Sequence, residues 1–280
     1  MWWPLETLPL LAVIVVSALY MLGVRKLQRE NIHWPLGRTI SFVVFGNGTL
    51  FIATQGPLAF LDTTLLSTHM VQHMLLSMIA PIFLALGAPI TLLLRVTRGK
   101  VRKTIASVLH SRFVKVLSFP LFAGFIYIIN PWLLYFTGYY EATLTNSLLH
   151  NFNHLHFIMV GSIWTWSLIG IDPMPRMGFG LRLFSIFVTL PFHAFLGLTI
   201  MNQSDGIART YYESLNLEWG PGVIADQQIA GGLLWAAGDV IGLLLFLALA
   251  IQWSKDSEKE ARRIDRDLDR QSQKTLTTED

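Results

Sequence analysis

Seven long apolar stretches divide the 280-residue chain and constrain its fold more than any other feature. A helix needs roughly 20 apolar residues to cross a hydrocarbon core of about 30 Å, and each stretch has that length. Only 14% of the residues are charged, against roughly a quarter in water-soluble domains, so a soluble enzyme is excluded. The stretches lie at residues 5–24, 39–60, 67–94, 116–136, 144–169, 181–202 and 223–252.

The basic residues are confined to alternate connections between these stretches. All but one of the 21 Lys and Arg residues lie in or at the edge of the first, third and fifth connections or in the tail, and the exception is Arg209. Because Lys and Arg accumulate in cytoplasmic loops, this alternation predicts an N-terminus outside and a C-terminus in the cytoplasm. The sequence therefore predicts an all-α membrane protein, with a seven-helix transmembrane bundle over 1–253 and a charged cytoplasmic tail over 254–280.

The two ends of the chain carry further expectations. Arg25 and Lys26 follow the first apolar stretch, and no basic residue precedes it. We therefore expect a membrane span rather than a cleaved signal peptide. In the tail, Glu258 and Arg262 are spaced for an i,i+4 pair, which predicts a few more helical turns before disorder. Because the basic residues lie on one predicted face of the membrane, we expect that face to contact membrane lipid and not nucleic acid.

Histidines within the apolar stretches are candidate functional residues, because polar groups inside a membrane are costly. His69 and His73 lie four residues apart near the start of the third stretch. His150 and His154 have the same spacing near the start of the fifth. Four residues advance a helix by about one turn, so each pair projects from one face and can converge on one ion.

Two further residues are predicted at a similar depth below the outer surface, His193 in the sixth stretch and Asp226 at the outer start of the seventh. The chain contains no cysteine, so any metal must be held by histidine, methionine, carboxylate or backbone oxygen. Thioethers such as Met70 and Met201 lie in the same outer halves, and thioether with imidazole suits copper, particularly Cu(I). The predicted metal ligands are His69, His73, His150, His154, His193 and Asp226.

The chain resembles the CtaG family of cytochrome c oxidase assembly factors, which are integral membrane proteins of bacteria. The resemblance is carried by HMVQHMLLSMIAPIFLALGAP at 69–89, the histidine-rich start of the fifth stretch and ADQQIAGGLLWAAGD at 225–239. It covers nearly the whole chain apart from the tail. It implies a multi-pass protein of the bacterial plasma membrane that handles copper for the oxidase on the outer side, with an oxidase subunit or a copper chaperone as partner. By the same resemblance, His69, His73, His150 and His154 match the family's histidine-bearing positions.

We therefore expect a copper-binding assembly factor with no catalytic residues. A homodimer is compatible with the sequence. The outer loop 203–222, which contains Tyr211, Tyr212 and Trp219, is the candidate docking surface for a partner.

Other functions stay open at this point. An intramembrane zinc hydrolase would hold zinc on three histidines and use Asp226 as general base. A haem protein would use imidazoles from two helices as axial ligands. A transporter with a metal site in its polar layer is also compatible. A retinal pigment is excluded, because every lysine lies outside or at the rim of the predicted spans.

Overall fold

The computed structural model describes the backbone of residues 6–276 and the side chains as far as Leu268. Within these residues all regular structure is helical, which confirms the predicted all-α class. The first residue of the first predicted span and the last four residues of the predicted tail lie outside the described part. The helices are α1 (Thr7–Arg29), α2 (Leu36–Leu61), α3 (Leu66–Leu86), α4 (Pro89–Val96), α5 (Gly99–Leu109), α6 (Arg112–Leu117), α7 (Pro120–Tyr135), α8 (Tyr139–Thr145), α9 (Ser147–Ile169), α10 (Phe179–Asn202), α11 (Arg209–Ser214) and α12 (Val223–Leu276).

The described chain is a multi-pass membrane protein. Five of its helices, α1, α2, α3, α10 and α12, are long and apolar enough to cross a membrane, and α7 with α8 makes a sixth if this pair, bent by 68°, counts as one span. Helix α9 is 23 residues long, but the asparagines and histidines in its first half lower its mean hydropathy. Each of the seven predicted stretches overlaps a long helix, but the third, 67–94, is divided at Gly87 and Ala88 between α3 and α4. The seven-span count and its orientation stay predictions.

Helices α2 and α3 both depart from regular α-helical geometry. In α2, Gln55 is extended and Gly56 has a φ of +70°, so the helix breaks before Pro57. In α3, residues Leu75–Ile79 form a π-helical turn, a feature common near functional sites. Pro81 has no N–H to donate to the Ser77 carbonyl four residues earlier, which favours this wider turn.

Glycines allow the histidine-bearing helices to pack backbone against backbone. A Cβ atom added to Gly161 of α9 would collide with the Ser77 carbonyl in the π-helical turn of α3. A Cβ added to Gly197 of α10 would lie 2.6 Å from the Gly231 carbonyl oxygen of α12. Such close approaches are typical of small residues at membrane helix interfaces. These contacts join α3 to α9 and α10 to α12, and α12 also packs against the start of α3, so the four helices surround one interior.

The last helix runs without a break through residue 253, the predicted boundary between membrane domain and tail. Helix α12 contains 54 residues and ends at Leu276, which is longer than the few turns predicted beyond the membrane. At 1.5 Å per residue its length is roughly 80 Å. The tail residues with described side chains are largely exposed and carry the i,i+3 ion pair Lys259–Asp256 at 3.3 Å.

Candidate metal centre

Asp62, His150 and His154 form a compact cluster where α2 ends and α9 begins. Nε2 of His150 lies 2.7 Å from Oδ2 of Asp62, and Nε2 of His154 lies 3.4 Å from the same oxygen. Each residue offers one ligand atom, and the three atoms lie within 4.8 Å of one another. A carboxylate and two imidazoles at this separation are a donor set for a transition-metal ion.

Local sequence explains how the two histidines reach this position. The side chain of Asn146 accepts hydrogen bonds from the amides of Leu148 and Leu149, at 3.0 and 3.2 Å, and so caps the start of α9. His150 then falls in the first turn and His154 one turn later, on the same face. Their ring centroids are 4.4 Å apart. The structure thus has the one-face arrangement that the i,i+4 spacing predicts.

The cluster is buried, and several of its polar atoms have no partner. Asp62 is 1% exposed, and its second oxygen, Oδ1, makes no hydrogen bond. The Nδ1 atoms of His150 and His154 are also buried without a partner. An unsatisfied buried polar atom costs about 1–3 kcal/mol, so three such atoms on the residues of one cluster favour the binding of a ligand there.

Electrostatics keep Asp62 ionised. Burial raises the pKa of its carboxyl group, but hydrogen bonds and charge interactions from His150 and His154 outweigh burial and hold the pKa below its ordinary value. A carboxylate in this state can bind a cation without first releasing a proton. A cavity of about 340 Å³ adjoins the cluster, lined in part by Glu6, Thr63 and Ser147.

His69 and His73 of α3 lie beside the cluster and not in it. His69 is fully buried with both ring nitrogens unpartnered, and its ring centroid is 4.9 Å from that of Tyr140. His69 interacts electrostatically with all three cluster residues. One turn further along α3, the ring centroid of His73 lies 4.2 Å from that of Phe157.

His193 and Asp226 occupy separate positions. His193 is buried with its ring parallel to that of Tyr127, at a centroid distance of 5.8 Å. Asp226 accepts hydrogen bonds from the Ser67 hydroxyl and from the Ser67 amide, the latter at 3.2 Å. Asp226 thus joins the start of α12 to the first turn of α3 and satisfies an amide that the helix leaves free.

Sequence reasoning missed Asp62 as a ligand and placed it only among the acidic residues of the outer connections. One signal was present. Asp62 is the only ionisable residue between the second apolar stretch and the His69/His73 pair. An acidic residue at the rim of two spans, one of which carries paired histidines, is a reasonable ligand candidate.

Comparison with known proteins gives a family match over most of the chain. Residues 18–256 match the family model described as cytochrome c oxidase caa3 assembly factor. Uncharacterized proteins of Mycobacterium bovis and Mycobacterium tuberculosis are each 34% identical over 275 residues, and one of Mycobacterium leprae is 31% identical. Each alignment covers 95% of this chain and 42% of the relative, so the chain spans less than half the length of these relatives. No solved structure matches the chain.

Proposed function

Because the chain belongs to the cytochrome c oxidase caa3 assembly factor family, we propose that it carries copper to the oxidase during assembly. The Asp62–His150–His154 cluster is the observation that supports this proposal. Its two imidazoles are good ligands for copper, and its carboxylate offsets part of the ion's charge. Copper is the cargo of this function and leaves with the oxidase subunit that accepts it.

The proposed orientation puts the cluster near the outer surface of the bacterial plasma membrane. Asp62 follows the second predicted span and His150 opens the fifth, so both belong to the outer side if seven helices cross with the N-terminus outside. The alternating basic residues support this arrangement. An outer site can receive copper from a chaperone in that compartment and pass it on through the outer loops.

The proposed activity is ligand exchange and not catalysis. Cargo transfer requires ligands that bind the ion and release it to a competing set, which the cluster supplies without a nucleophile or general base. Asp226 is held by Ser67, and this contact supports a role in joining helices over the role of a hydrolase base.

Metal analysis of the full-length protein in detergent tests the proposal. Protein produced in copper-supplemented medium is assayed for copper and zinc as wild type, Asp62→Asn and His150→Gln. We expect each substitution to remove about one copper per chain. His156→Gln is the matched control, since His156 lies on the same helix but contacts Asn130. Equal copper in all four proteins contradicts the proposal, zinc in place of copper favours the hydrolase, and a Soret band favours the haem protein.

A further inference from the structure

Three buried imidazoles continue inward from the Asp62–His150–His154 cluster. His69, His73 and His193 are 0%, 3% and 5% exposed. They belong to α3 and α10, which pack against the same interior as α9. The outer cluster uses none of them, so they are a second set of buried imidazole nitrogens.

Aromatic residues of α7 show the order in which these imidazoles follow one another. Tyr135, at the C-terminal end of α7, faces both His69 and His73, with centroid distances of 6.0 and 6.1 Å. Tyr127 stacks on His193. Tyr127 and Tyr135 are eight residues apart on one helix, or roughly 12 Å. His193 therefore lies deeper than His69 along the direction of α7.

Helix α9 gives the same order independently. Its first turns carry His150 and His154. Phe157 comes next and contacts both His69 and His73. Trp164, two turns further on, stacks on Tyr127 at 4.3 Å, beside His193.

Packing contacts join the two ends of the series. Ser77 lies one turn after His73 on α3 and packs against Gly161 of α9. Trp164 lies one turn after Gly161 and stacks on Tyr127, which stacks on His193. The deep end of α3 and His193 therefore lie against the same part of α7 and α9.

The ring nitrogens along this series are poorly satisfied by the protein. Both nitrogens of His69 lack a partner, and His193 faces the Leu234 carbonyl without a well-formed hydrogen bond. The Tyr135 hydroxyl is 3.5 Å from Nδ1 of His73 and 3.8 Å from the Met70 sulfur. Leaving buried nitrogens unpaired costs free energy, and a metal ion that accepts their lone pairs would recover it.

We propose that His73 and His193 form a second, deeper station for the metal cargo, which reaches it from the Asp62–His150–His154 cluster by way of His69. This inference rests on the proposed function of the outer cluster. The station takes Cu(I), because neutral imidazoles in an apolar interior stabilise a monovalent ion at a lower desolvation cost than a divalent one. Imidazole, with the Met70 thioether nearby, is also a soft ligand set. Copper moves between stations by ligand exchange, and no electron is transferred.

Counting bound Cu(I) tests the second station. Full-length protein in detergent is titrated with Cu(I) in competition with bicinchoninate, as wild type, His73→Gln, His193→Gln and Asp62→Asn. We expect two equivalents in the wild type and one in each variant. X-ray absorption of Asp62→Asn should then show one copper with two nitrogen neighbours. His110→Gln, in an exposed inner connection, is the control and should retain two equivalents.

The outcomes separate this inference from the proposed function. The deep variants are His73→Gln and His193→Gln. If the wild type binds one equivalent of Cu(I), and this equivalent is lost in Asp62→Asn but kept in both deep variants, the second station is overturned and the outer site stands. One equivalent that is lost only in the deep variants overturns the outer site. Two equivalents in every variant contradict the second station. His193→Phe, which keeps a ring beside Tyr127, replaces His193→Gln if the latter does not fold.

Discussion

The hydroxyl groups of Tyr140 and Tyr212 lie 2.7 Å apart in a buried hydrogen bond between α8 and loop 203–222. Tyr140 covers His69, and Tyr212 belongs to the six-residue helix α11. Burial raises the pKa of the Tyr212 hydroxyl above its ordinary value, so it stays neutral. The loop that contains it is joined to α12, because the Ile207 amide donates to Gln227 at 2.7 Å. Loop 203–222 is thus linked to His69 through Tyr212 and Tyr140.

Tyr212→Phe should accelerate metal exchange without unfolding the protein. The substitution removes one buried hydrogen bond, worth about 1 kcal/mol, which corresponds to a rate change of about fivefold. Release of Cu(I) to excess bicinchoninate, followed by its absorbance, measures the rate. Tyr139→Phe, which removes a hydroxyl next to Tyr140 and leaves the pair intact, should match the wild type. An unchanged rate in Tyr212→Phe would show that this loop does not limit exchange.

Gly161→Ala should destabilise the protein and disturb the metal centre. The added methyl group would collide with the Ser77 carbonyl, and overpacking of this kind costs about 1–3 kcal/mol. We expect a lower Tm by intrinsic fluorescence in detergent, together with reduced copper content, because α9 carries both cluster histidines. Gly232→Ala is the matched control, since no atom lies within 4 Å of the added methyl group. Equal Tm values for the two variants would contradict close packing at Gly161.

Asp226→Asn should lower stability while leaving the copper content unchanged. The carboxylate accepts two hydrogen bonds from Ser67, and hydrogen bonds to a charged group contribute about 1.5–3 kcal/mol. Ser67→Ala removes the hydroxyl contact from the other side and should shift Tm in the same direction. If Asp226→Asn loses copper and Ser67→Ala does not, Asp226 is a metal ligand, as the sequence predicts.

Single introduced cysteines can determine the orientation, because the natural chain has none. Glu218 lies in loop 203–222 and Ser257 in the extension of α12, and both are exposed. We expect a membrane-impermeant maleimide to label Glu218→Cys in intact cells and Ser257→Cys only after the membrane is opened. Labelling of Ser257→Cys in intact cells would overturn the predicted cytoplasmic C-terminus.

The sequence predicts the helices well and the grouping of their side chains only in part. Apolar length locates the helices, and the i,i+4 spacing places His150 and His154 on one face. The rotation of α3 against α9 depends on a backbone contact between Gly161 and Ser77 and on the π-helical turn, which neither helix specifies alone. For this reason the sequence places six ligands in one layer, whereas the structure groups Asp62 with one histidine pair and leaves the other four predicted ligands outside that group.

The break in α2 is a second feature that the sequence predicts only in part. Gly56 and Pro57 mark an irregularity in the sequence, but the hydrogen bonds that fix it are distant in the chain. The Gln55 side chain exchanges two bonds with the backbone of Glu6, at 3.0 and 3.1 Å. Asp62 reaches the start of α9 from the short helical segment Gly56–Leu61 that follows this break. Its position in the cluster therefore depends on the Gln55–Glu6 hydrogen bonds, which no local sequence pattern predicts.

The unbroken length of α12 has a mechanical consequence. Its N-terminal end is joined to α3 through Asp226 and Ser67, and its C-terminal end lies roughly 80 Å away. A tilt of about 5° in a straight rod of that length displaces the far end by roughly 7 Å. A small rotation of α12 at its contact with Ser67 would therefore become a displacement of several Å at Leu276.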